Sequence, residues 1–523
     1  LNNLLDNLLC YTSASTVPLG PEPLCQLLQD EGAQSVQDAL NIICNFENDG
    51  CATFSVSAGP GWQQVFTKIP PSADAHICFQ EGDYPLGETL VVENKGHLKI
   101  SCAGEGTRFY HNANETVIRF KDCQSVSVTD GFFSGGNSGA GKPDDQTFAH
   151  IKGALTFENC AEVQLQHIVS QCKSATRLFA SCITVINTLS KPGRVRIKEC
   201  RFEVGHQQVG LLLLNQQRIS VIDNQILARK KPKSMTIDYM LNDYTVASRI
   251  KDLLIKGAVV RDFDKLDIPQ REGLQNLQTD RKSGNRQIMF NSPIASSQWK
   301  KLVSAETENT VISSNNALLN TLKSVAINIL RNPKLRRKNA ALTRWITDLK
   351  KQNPSVMSKG IVCAGDTAKE IRVLNNTITG THMGIQVGVS NRSKDKPETL
   401  HAGITRIQGN SIQIVLSPLA SRRRGGIFAG NCSQLSIIDN SIQLQRFSFT
   451  NLTKVESIRI YGVLGRKIIV KDNYSTNCNI GIKIAPVAMQ DVTHQWLVAD
   501  NMFAGSTTSV EAPGSVKKRN NIT

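Results

Sequence analysis

Short segments in which apolar and polar residues alternate recur along most of this chain. Each segment ends in a polar residue, then usually an Asn, and then usually an apolar residue two positions later. Such segments begin at Val195, Ile219, Ile371, Thr405, Leu435, Ile468 and Trp496, and less regular copies begin at Leu98, Val126 and Val163. Alternation with a period of two predicts short, half-buried β-strands.

The Asn of the pattern returns at a spacing that indicates a repeat. It occupies Asn224, Asn376, Asn410, Asn440, Asn473 and Asn501, and Cys200 stands in the same register. Beyond Asn376 the spacings are 34, 30, 33 and 28 residues. A second short strand precedes most copies and often opens with Gly, at Gly210, Gly360, Gly384, Gly426 and Gly481.

A repeat unit of this size, with two or three short strands and no helix, cannot bury its own apolar side chains. Stacked units bury a continuous core, so the pattern predicts an all-β, single-stranded parallel β-helix. In such a stack each Asn amide can hydrogen-bond the Asn above and below it, which predicts an internal ladder. We expect the glycines to supply the positive φ that tight corners need.

The start of the array carries a second signal. The stretch Ser35–Cys44 predicts an amphipathic helix, and Gly61–Val92 follows it with an apolar strand and a Gly-x-Tyr turn at Gly82 and Tyr84. This arrangement resembles the beginning of right-handed β-helix proteins of the pectin-lyase-like class, of bacterial or phage type. The resemblance covers about 75–227 and 360–505. It implies a right-handed helix with a capped end, because an open end exposes an unpaired sheet edge.

The repeat disappears in the middle of the chain, where the charge is concentrated. Residues 228–359 contain 25 Lys plus Arg and 11 Asp plus Glu, a net charge of +14, whereas the other 391 residues carry a net +2. Apolar positions at helical spacing in 315–330 and from Pro333 to about Gln352 predict an inserted, mainly α-helical subdomain.

These boundaries divide the chain into five parts. We predict an N-terminal lead-in and capping region at 1–74, the first part of the β-helix at 75–227, the basic helical insertion at 228–359, the second part of the β-helix at 360–505 and a C-terminal tail at 506–523.

The basic insertion is the predicted binding region. Its candidate binding residues are Arg229, Lys230, Lys231, Lys233, Arg336, Arg337, Arg344, Lys350 and Lys351. Concentrated Lys and Arg indicate an acidic partner, such as an acidic polysaccharide, another subunit or, less favoured, nucleic acid. A solvated helical hairpin docked on the β-helix and a membrane-surface role stay open as alternatives.

Two fragments of known catalytic motifs occur in the β-helix part. Arg196–Lys198 and Asp144–Asp145 match elements of polygalacturonase-like enzymes, which use paired carboxylates. The Asn-Thr-Asp and Gly-His-Gly elements of those enzymes are missing, and the order along the chain differs. We interpret both matches as chance, and we keep Asp144, Asp145 and His150 only as weak catalytic candidates.

Two further motif matches stand in the wrong context. Arg331–Arg336 has the Arg-x-Pro-x-x-Arg form found in pectate lyases, but it falls in the predicted helical insertion. Gly136–Lys142 resembles a phosphate-binding loop, but Pro143 follows where Ser or Thr should hold magnesium. Neither match predicts a function.

Composition limits the remaining possibilities. Hydrophobic residues make up 40% of the chain, aromatic residues only 6%, and no apolar run approaches the length of a membrane-spanning helix. The 14 cysteines include no Cys-x-x-Cys, so we expect no metal and no cofactor. Most cysteines are predicted to be buried small apolar residues, and the disulfide state of Cys10, Cys25, Cys44 and Cys51 is open.

The predicted function is a structural or ligand-binding β-helix module of a larger extracellular, phage-like or injection-type assembly. A homotrimer is left open, and so is its location, since no signal peptide is visible and Leu1 indicates a piece of a longer protein. The alternative is a polysaccharide-active enzyme (lyase, hydrolase or epimerase) of the pectin-lyase-like class.

Overall fold

Three long sheets of parallel strands make up almost all of the described structure. The computed structural model describes residues 51–113, 115–136, 151–172, 180–205, 208–229, 358–365, 368–389, 402–416, 425–446, 455–489 and 495–523, together with Pro333, Ala340, Thr343 and Arg344. The strands are numbered β1 to β35 in chain order.

The first sheet contains Cys51–Val56 (β1), Asp74–Phe79 (β2), His97–Cys102 (β5), Ser125–Thr129 (β8), Glu162–Gln166 (β11), Gly193–Lys198 (β14), Gln216–Ile222 (β17), Ala368–Leu374 (β20), Ala402–Gln408 (β23), Cys432–Ile438 (β26), Lys467–Lys471 (β29), Gln495–Ala499 (β32) and Lys517–Arg519 (β35). The second sheet contains Gly82–Leu86 (β3), Thr107–His111 (β6), Phe132–Gly135 (β9), Val169–Cys172 (β12), Arg201–Val204 (β15), Gln225–Ala228 (β18), Thr377–Thr381 (β21), Ser411–Leu416 (β24), Ser441–Arg446 (β27), Tyr474–Thr476 (β30) and Met502–Ala504 (β33). The third sheet contains Leu90–Glu93 (β4), Ile118–Lys121 (β7), Gly153–Glu158 (β10), Ser181–Ile186 (β13), Val209–Leu214 (β16), Lys359–Ala364 (β19), Met383–Val389 (β22), Gly425–Gly430 (β25), Glu456–Leu464 (β28), Ile480–Met489 (β31) and Thr508–Glu511 (β34).

The chain passes through the three sheets in a fixed order. From β4 onward, each coil takes one strand in the third sheet, one in the first and one in the second, and every strand pairs with its counterpart in the next coil. These pairs are parallel, as between β11 and β14 or between β24 and β27. The prediction of a single-stranded parallel β-helix is therefore confirmed.

Period-two burial shows how the alternating segments form the core. In β14 the side chains of Val195 and Ile197 are buried, while Arg194 and Arg196 are exposed. The inward residues of successive coils stack into one continuous core that is mainly aliphatic. A single coil cannot bury its apolar side chains alone, so the core depends on stacking of neighbouring coils.

Aromatic side chains concentrate at the N-terminal end of this core. Tyr84, Phe109 and Phe133 stand in register in three successive coils, with ring centroids 4.8 and 5.0 Å apart and nearly parallel ring planes. Trp62 packs edge-on against both Tyr84 and Phe109. Low overall aromatic content gave no sign of this local stack.

The beginning of the β-helix differs from the prediction, and the predicted helix at Ser35–Cys44 lies outside the described residues. A short helix, α1, spans Gln64–Lys68 and buries Val65 and Phe66. Gly82 and Tyr84 lie in strand β3 rather than in a turn, so that prediction was wrong. The Tyr84 hydroxyl lies 3.0 Å from the Val56 carbonyl oxygen and 2.8 Å from that of Gln80, so burial in the strand leaves it hydrogen-bonded.

The basic segment leaves the stack between two consecutive coils. Strands β16, β17 and β18 pair directly with β19, β20 and β21, although residues 229–358 separate the two sets in sequence. Within that segment the structure describes four residues between 230 and 357, and all four are helical. The predicted amphipathic helix at 315–330 lies outside the described residues.

The sheets also extend past residue 505, where the sequence analysis ends the β-helix. Strand β34 pairs with β31, and β35 pairs with β32. Both strands are short and largely exposed. The last part of the chain is thus a partial coil.

The recurring glycines are required for space and not for a positive φ. None of the five recurring glycines has a φ in the left-handed region, so the prediction of a positive φ at these positions was wrong. The five are Gly210, Gly360, Gly384, Gly426 and Gly481. A Cβ at any of them would lie 3.0 Å or closer to an inward side chain of the second sheet. These residues are Ile226, Ile378, Ile412, Ile442 and Phe503. Glycine therefore lets the two sheets meet at a close corner.

We expect Gly384→Ala to destabilise the protein by about 1–3 kcal/mol, the usual cost of overpacking. The new Cβ would lie 2.6 Å from Ile412 Cγ2 and 2.5 Å from the Gly426 carbonyl oxygen. Thermal and urea denaturation measure the effect. Gly87→Ala is the matched control, because nothing lies within 4 Å of its Cβ position. Equal midpoints for the two variants would contradict the steric explanation.

Candidate functional site

A two-residue turn joins the first and second sheets in most coils. Its first residue has φ between 48° and 66°, the left-handed region. That position holds Asp130, His167, Glu199, Asp223, Asn375, Gly409, Asp439, Asp472, Asp500 and Asn520. Asp, Asn and Gly tolerate this conformation better than most residues, which explains the polar residue that precedes the recurring Asn.

The second residue of the turn points into the stack. From Asn224 onward each amide Nδ2 donates to the Oδ1 of the Asn one coil later, at 2.8–3.0 Å. The series runs through Asn376, Asn410, Asn440, Asn473 and Asn501. Cys200 stands one coil before it, and its backbone N–H donates to Asn224 Oδ1 at 3.0 Å. A buried amide in such a series is fully partnered, so the polar group is not costly.

The series has one more member than the sequence pattern indicated. Asn501 Nδ2 donates to Asn521 Oδ1 at 2.8 Å, and Asn521 Nδ2 donates to the Val498 carbonyl at 2.9 Å. The pattern missed Asn521 because the strand before it reads Lys-Lys-Arg and shows no alternation. The pair Asn520-Asn521, a polar residue followed by Asn, is the signal that could have identified it.

Most of the predicted catalytic and binding residues lie outside the described residues. The weak catalytic candidates Asp144, Asp145 and His150 lie outside the described residues, and so do Lys230, Lys231, Lys233, Arg336, Arg337, Lys350 and Lys351. Among the cysteines in question, Cys10, Cys25 and Cys44 also lie outside them, and Cys51 lies in β1. Of the predicted binding residues, the structure describes Arg229 and Arg344.

Arg344 and Arg229 have different surroundings. Arg344 is helical and exposed. Arg229 follows β18 directly and is half-buried, and its backbone N–H donates to the Val204 carbonyl at 2.7 Å. Two of its guanidinium nitrogens are buried without a hydrogen-bond partner among the described residues. Its charge also acts on the buried thiol of Cys172, whose pKa is raised by burial and by Cys182. Arg229 is thus turned partly inward at the start of the basic segment.

Outward side chains of the third sheet are buried, which is unusual for the outer face of a β-helix. Thr156, Thr184, Leu212, Val362 and Gln386 stand in one in-register column and are at most 4% exposed. Ile151 packs on the apolar middle of this column. This covered face is apolar at its centre and polar towards both ends.

The C-terminal end of the covered face combines an aromatic pair with charged side chains. The rings of Phe428 and Tyr461 are 4.2 Å apart, and the Arg459 guanidinium lies 5.9 Å from the Phe428 ring centroid. Arg459 also pairs with the buried Glu456 at 3.0 Å, and Lys483 pairs with the exposed Glu511 at 2.6 Å. Cations in this cluster are therefore neutralised within the fold.

The N-terminal end of the covered face has the carboxylate of Glu158 at its centre. Glu158 pairs with Arg119 and, at 2.6 Å, with Lys152. Burial acts to raise the pKa of Glu158, but the hydrogen bonds from Arg119 and Lys152 outweigh it and hold the pKa below its ordinary value. Away from this face, in the turn between the first and second sheets, hydrogen bonds from Lys198 and Gln166, with a smaller one from His167, lower the pKa of Glu199 to about 2.

These two carboxylates are therefore ionised at neutral pH. A general acid in glycoside hydrolysis requires the opposite shift, a raised pKa that keeps the proton. Glu158 and Glu199 can stabilise cations, and neither is suited to donate a proton to a leaving group. Glu158 on the covered face and Glu199 in the turn between the first and second sheets both act as ion-pair partners.

The described ranges contain no group of three or more His, Cys, Asp or Glu side chains that could hold a metal ion. The ten cysteines whose thiols the structure describes form no disulfide with one another, and nine of them are buried. No helix in the described part of the chain is long and apolar enough to cross a membrane.

We expect Asn410→Ala to cost about 3 kcal/mol, because removing a buried amide leaves its partners unsatisfied. Asn376 donates to Asn410 Oδ1 through both its backbone N–H (2.9 Å) and its Nδ2 (3.0 Å), and Asn410 Nδ2 donates to the Val373 carbonyl at 3.0 Å. Urea denaturation measures the loss. Gln443→Ala, on the exposed face of β27, is the control. A loss no larger than that of the control would show that the amide series contributes little.

Glu158→Gln should destabilise the protein by about 1–3 kcal/mol at pH 7, since two cations lose their partner. The folded-state pKa of Glu158 is lowered, so its contribution is present above the unfolded pKa and is lost as the pH falls through the folded pKa. The stability difference between wild type and variant should then shrink below about pH 4. Denaturation between pH 3 and 7 tests this, with Glu93→Gln in the exposed pair with Lys121 as the control. A difference that stays constant with pH would contradict the assignment.

Comparison with known proteins gives only distant similarities. No protein-family model and no curated protein matches the chain. Solved structures that resemble it include the catalytic domain of a GH87 alpha-1,3-glucanase in complex with nigerose, with a TM-score of 0.30 and 9% identity, covering 90% of this chain and 67% of that chain. They also include the surface protein and adhesin PfbA of Streptococcus pneumoniae, with a TM-score of 0.24 and 9% identity, covering 94% and 96%.

Similarities of this size carry no argument about chemistry, and the fold is assigned from the chain's own strands. Three all-parallel sheets, entered in the same order in every coil, are consistent with the right-handed class. The protein is a single-stranded parallel β-helix.

Proposed function

We propose that this chain is a ligand-binding β-helix module of a larger extracellular, phage-like or injection-type assembly. Its ligand is an acidic glycan, bound through the basic segment 228–359. The β-helix serves as a rigid support, and any further contacts that it makes are with other subunits of the assembly.

The observation that carries this proposal is the concentration of charge at one position of the stack. Residues 228–359 hold a net charge of +14, whereas the rest of the chain holds +2. The segment follows β18 in the second sheet and ends at β19 in the third, and β19 pairs with β16 of the preceding coil, so both ends lie at the corner between these two sheets in neighbouring coils. A local excess of Lys and Arg attracts acidic polymers over distances of about a Debye length.

The ionised state of Glu158 and Glu199 supports binding over catalysis at these two positions. Glu158 and Glu199 both have lowered pKa values and cationic partners. The catalytic candidates that the sequence offers for a lyase or hydrolase, Asp144, Asp145 and His150, lie outside the described residues. The enzyme is therefore the second candidate, and no described contact favours it.

The proposal is tested by removing four charges from the segment in the full chain. We expect Arg336→Gln, Arg337→Gln, Lys350→Gln and Lys351→Gln together to weaken heparin binding about tenfold, and to reduce the salt slope of log K by roughly one per lost contact. Isothermal titration with heparin at several salt concentrations measures both quantities.

The matched control removes four exposed charges from the β-helix, by Lys467→Gln, Lys517→Gln, Lys518→Gln and Arg519→Gln. Its affinity should fall less than the affinity of the segment variant, because a general loss of charge acts weakly through screened solvent. If the segment variant and the control bind heparin equally, the basic segment is not the binding site.

A further inference from the structure

The β-helix itself carries a basic surface, although the net charge outside residues 228–359 is only +2. Five arginines point outward from four consecutive strands of the first sheet, β14, β17, β20 and β23. We call this surface the arginine face. It consists of Arg194, Arg196, Arg218, Arg372 and Arg406, all of them exposed.

Strand register places these arginines in two adjacent columns. Arg194 pairs with Arg218 in the first column. In the second column Arg196 pairs with Ser220, Ser220 with Arg372, and Arg372 with Arg406. Neighbouring strands lie about 4.8 Å apart, and positions i and i+2 of a strand are about 6.6 Å apart. The arginine face is thus a flat array about 14 Å long with regular spacing.

This arrangement brings like charges together, although Glu162 stands in register with Arg194 and Glu370 with Arg218. Like charges directly opposite each other on neighbouring strands are destabilising, and two such pairs occur, Arg194 with Arg218 and Arg372 with Arg406. Arg194, Arg196 and Arg218 form no ion pair with any described residue. Arg372 pairs with Glu370, and Arg406 Nε donates to Gln408 at 2.7 Å.

The run of neighbouring arginines is limited to these four strands. On the preceding strand, Glu162 stands beside Arg194, but its carboxylate accepts a hydrogen bond from Gln164 at 2.9 Å. On the following strand, Gln434 and Ser436 are neutral. Because the basic segment leaves the stack at the corner between the second and third sheets, the arginine face belongs to a different side of the coil.

We propose that the arginine face binds an acidic polysaccharide, a polymer that carries regularly spaced carboxylate or sulfate groups. A guanidinium group presents two parallel N–H donors to one oxyanion, which a lysine cannot do. A rigid row of such groups engages successive anions of one chain without further ordering, so the contacts reinforce each other.

A polysaccharide fits this surface better than a single-stranded nucleic acid. Proteins that bind single strands combine cations with aromatic side chains on which bases stack. The outward positions of β14, β17, β20 and β23 hold arginines, Lys198, Ser220, Glu370, Gln408 and the aliphatic residues Ile222, Leu374 and Ile404, and no aromatic residue. The face therefore offers anion contacts and no stacking platform.

The test uses the full chain with Arg196→Gln, Arg372→Gln and Arg406→Gln combined. We expect this variant to bind heparin and polygalacturonate about tenfold more weakly than the wild type, with its melting temperature in the absence of ligand unchanged or raised. A second variant, with Lys at the same three positions, keeps the charge and should still bind more weakly than wild type, because the paired donors are lost.

The control replaces three exposed lysines elsewhere on the same sheet, Lys467→Gln, Lys517→Gln and Lys518→Gln. Glycan affinity of the triple arginine variant equal to that of this control would overturn the proposal. A loss of affinity for a single-stranded oligonucleotide with none for either glycan would overturn it as well. The variant of Arg336, Arg337, Lys350 and Lys351 is read separately, so a failed basic segment and a failed arginine face give different results.

Discussion

The amide hydrogen bond from one asparagine to the next is the interaction that sets the register of this fold. Each of these amides also donates to the backbone of the preceding coil, as Asn410 does to Val373, and its oxygen accepts the backbone N–H of the preceding Asn. A coil that slipped by one residue would leave several buried polar groups unsatisfied at once. The same hydrogen bond explains how Asn224 and Asn376 are neighbours, although 152 residues separate them in sequence.

The sequence was sufficient for the coil and its main strands, because the signal is local. The segments that begin at Ile219, Ile371 and Leu435 start inside β17, β20 and β26, since alternation directly reflects one buried face. Features that depend on packing between coils were missed or misread. The glycines looked like turn residues, but the contact of Gly384 with Ile412 arises only once two sheets meet. Arg218 and Arg372 lie 154 positions apart, so the arginine face becomes visible only when the strand register is known.

The near-neutral charge of the β-helix hides a strong segregation. On the covered face of the third sheet, Glu456, Glu158 and their cationic partners cancel one another. On the first sheet, basic residues stand side by side in register without enough acidic neighbours. A net charge is a sum over all faces, whereas a polymer ligand meets one face at a time. The period-two geometry of a strand makes this separation easy, because alternate residues face the core and the solvent.

The amide series begins only at Asn224, and this gives the rod two unequal halves. Before it, the equivalent turn positions are Gly131, Ile168 and Cys200, and the interior relies on stacked rings such as Phe109 on Phe133. Ring stacking tolerates sliding, whereas a chain of directional hydrogen bonds does not. Under a pulling force along the axis, coils would detach singly, since each touches only its neighbours. The part before Asn224 should then behave as the compliant section of the rod and the part after it as the stiff one.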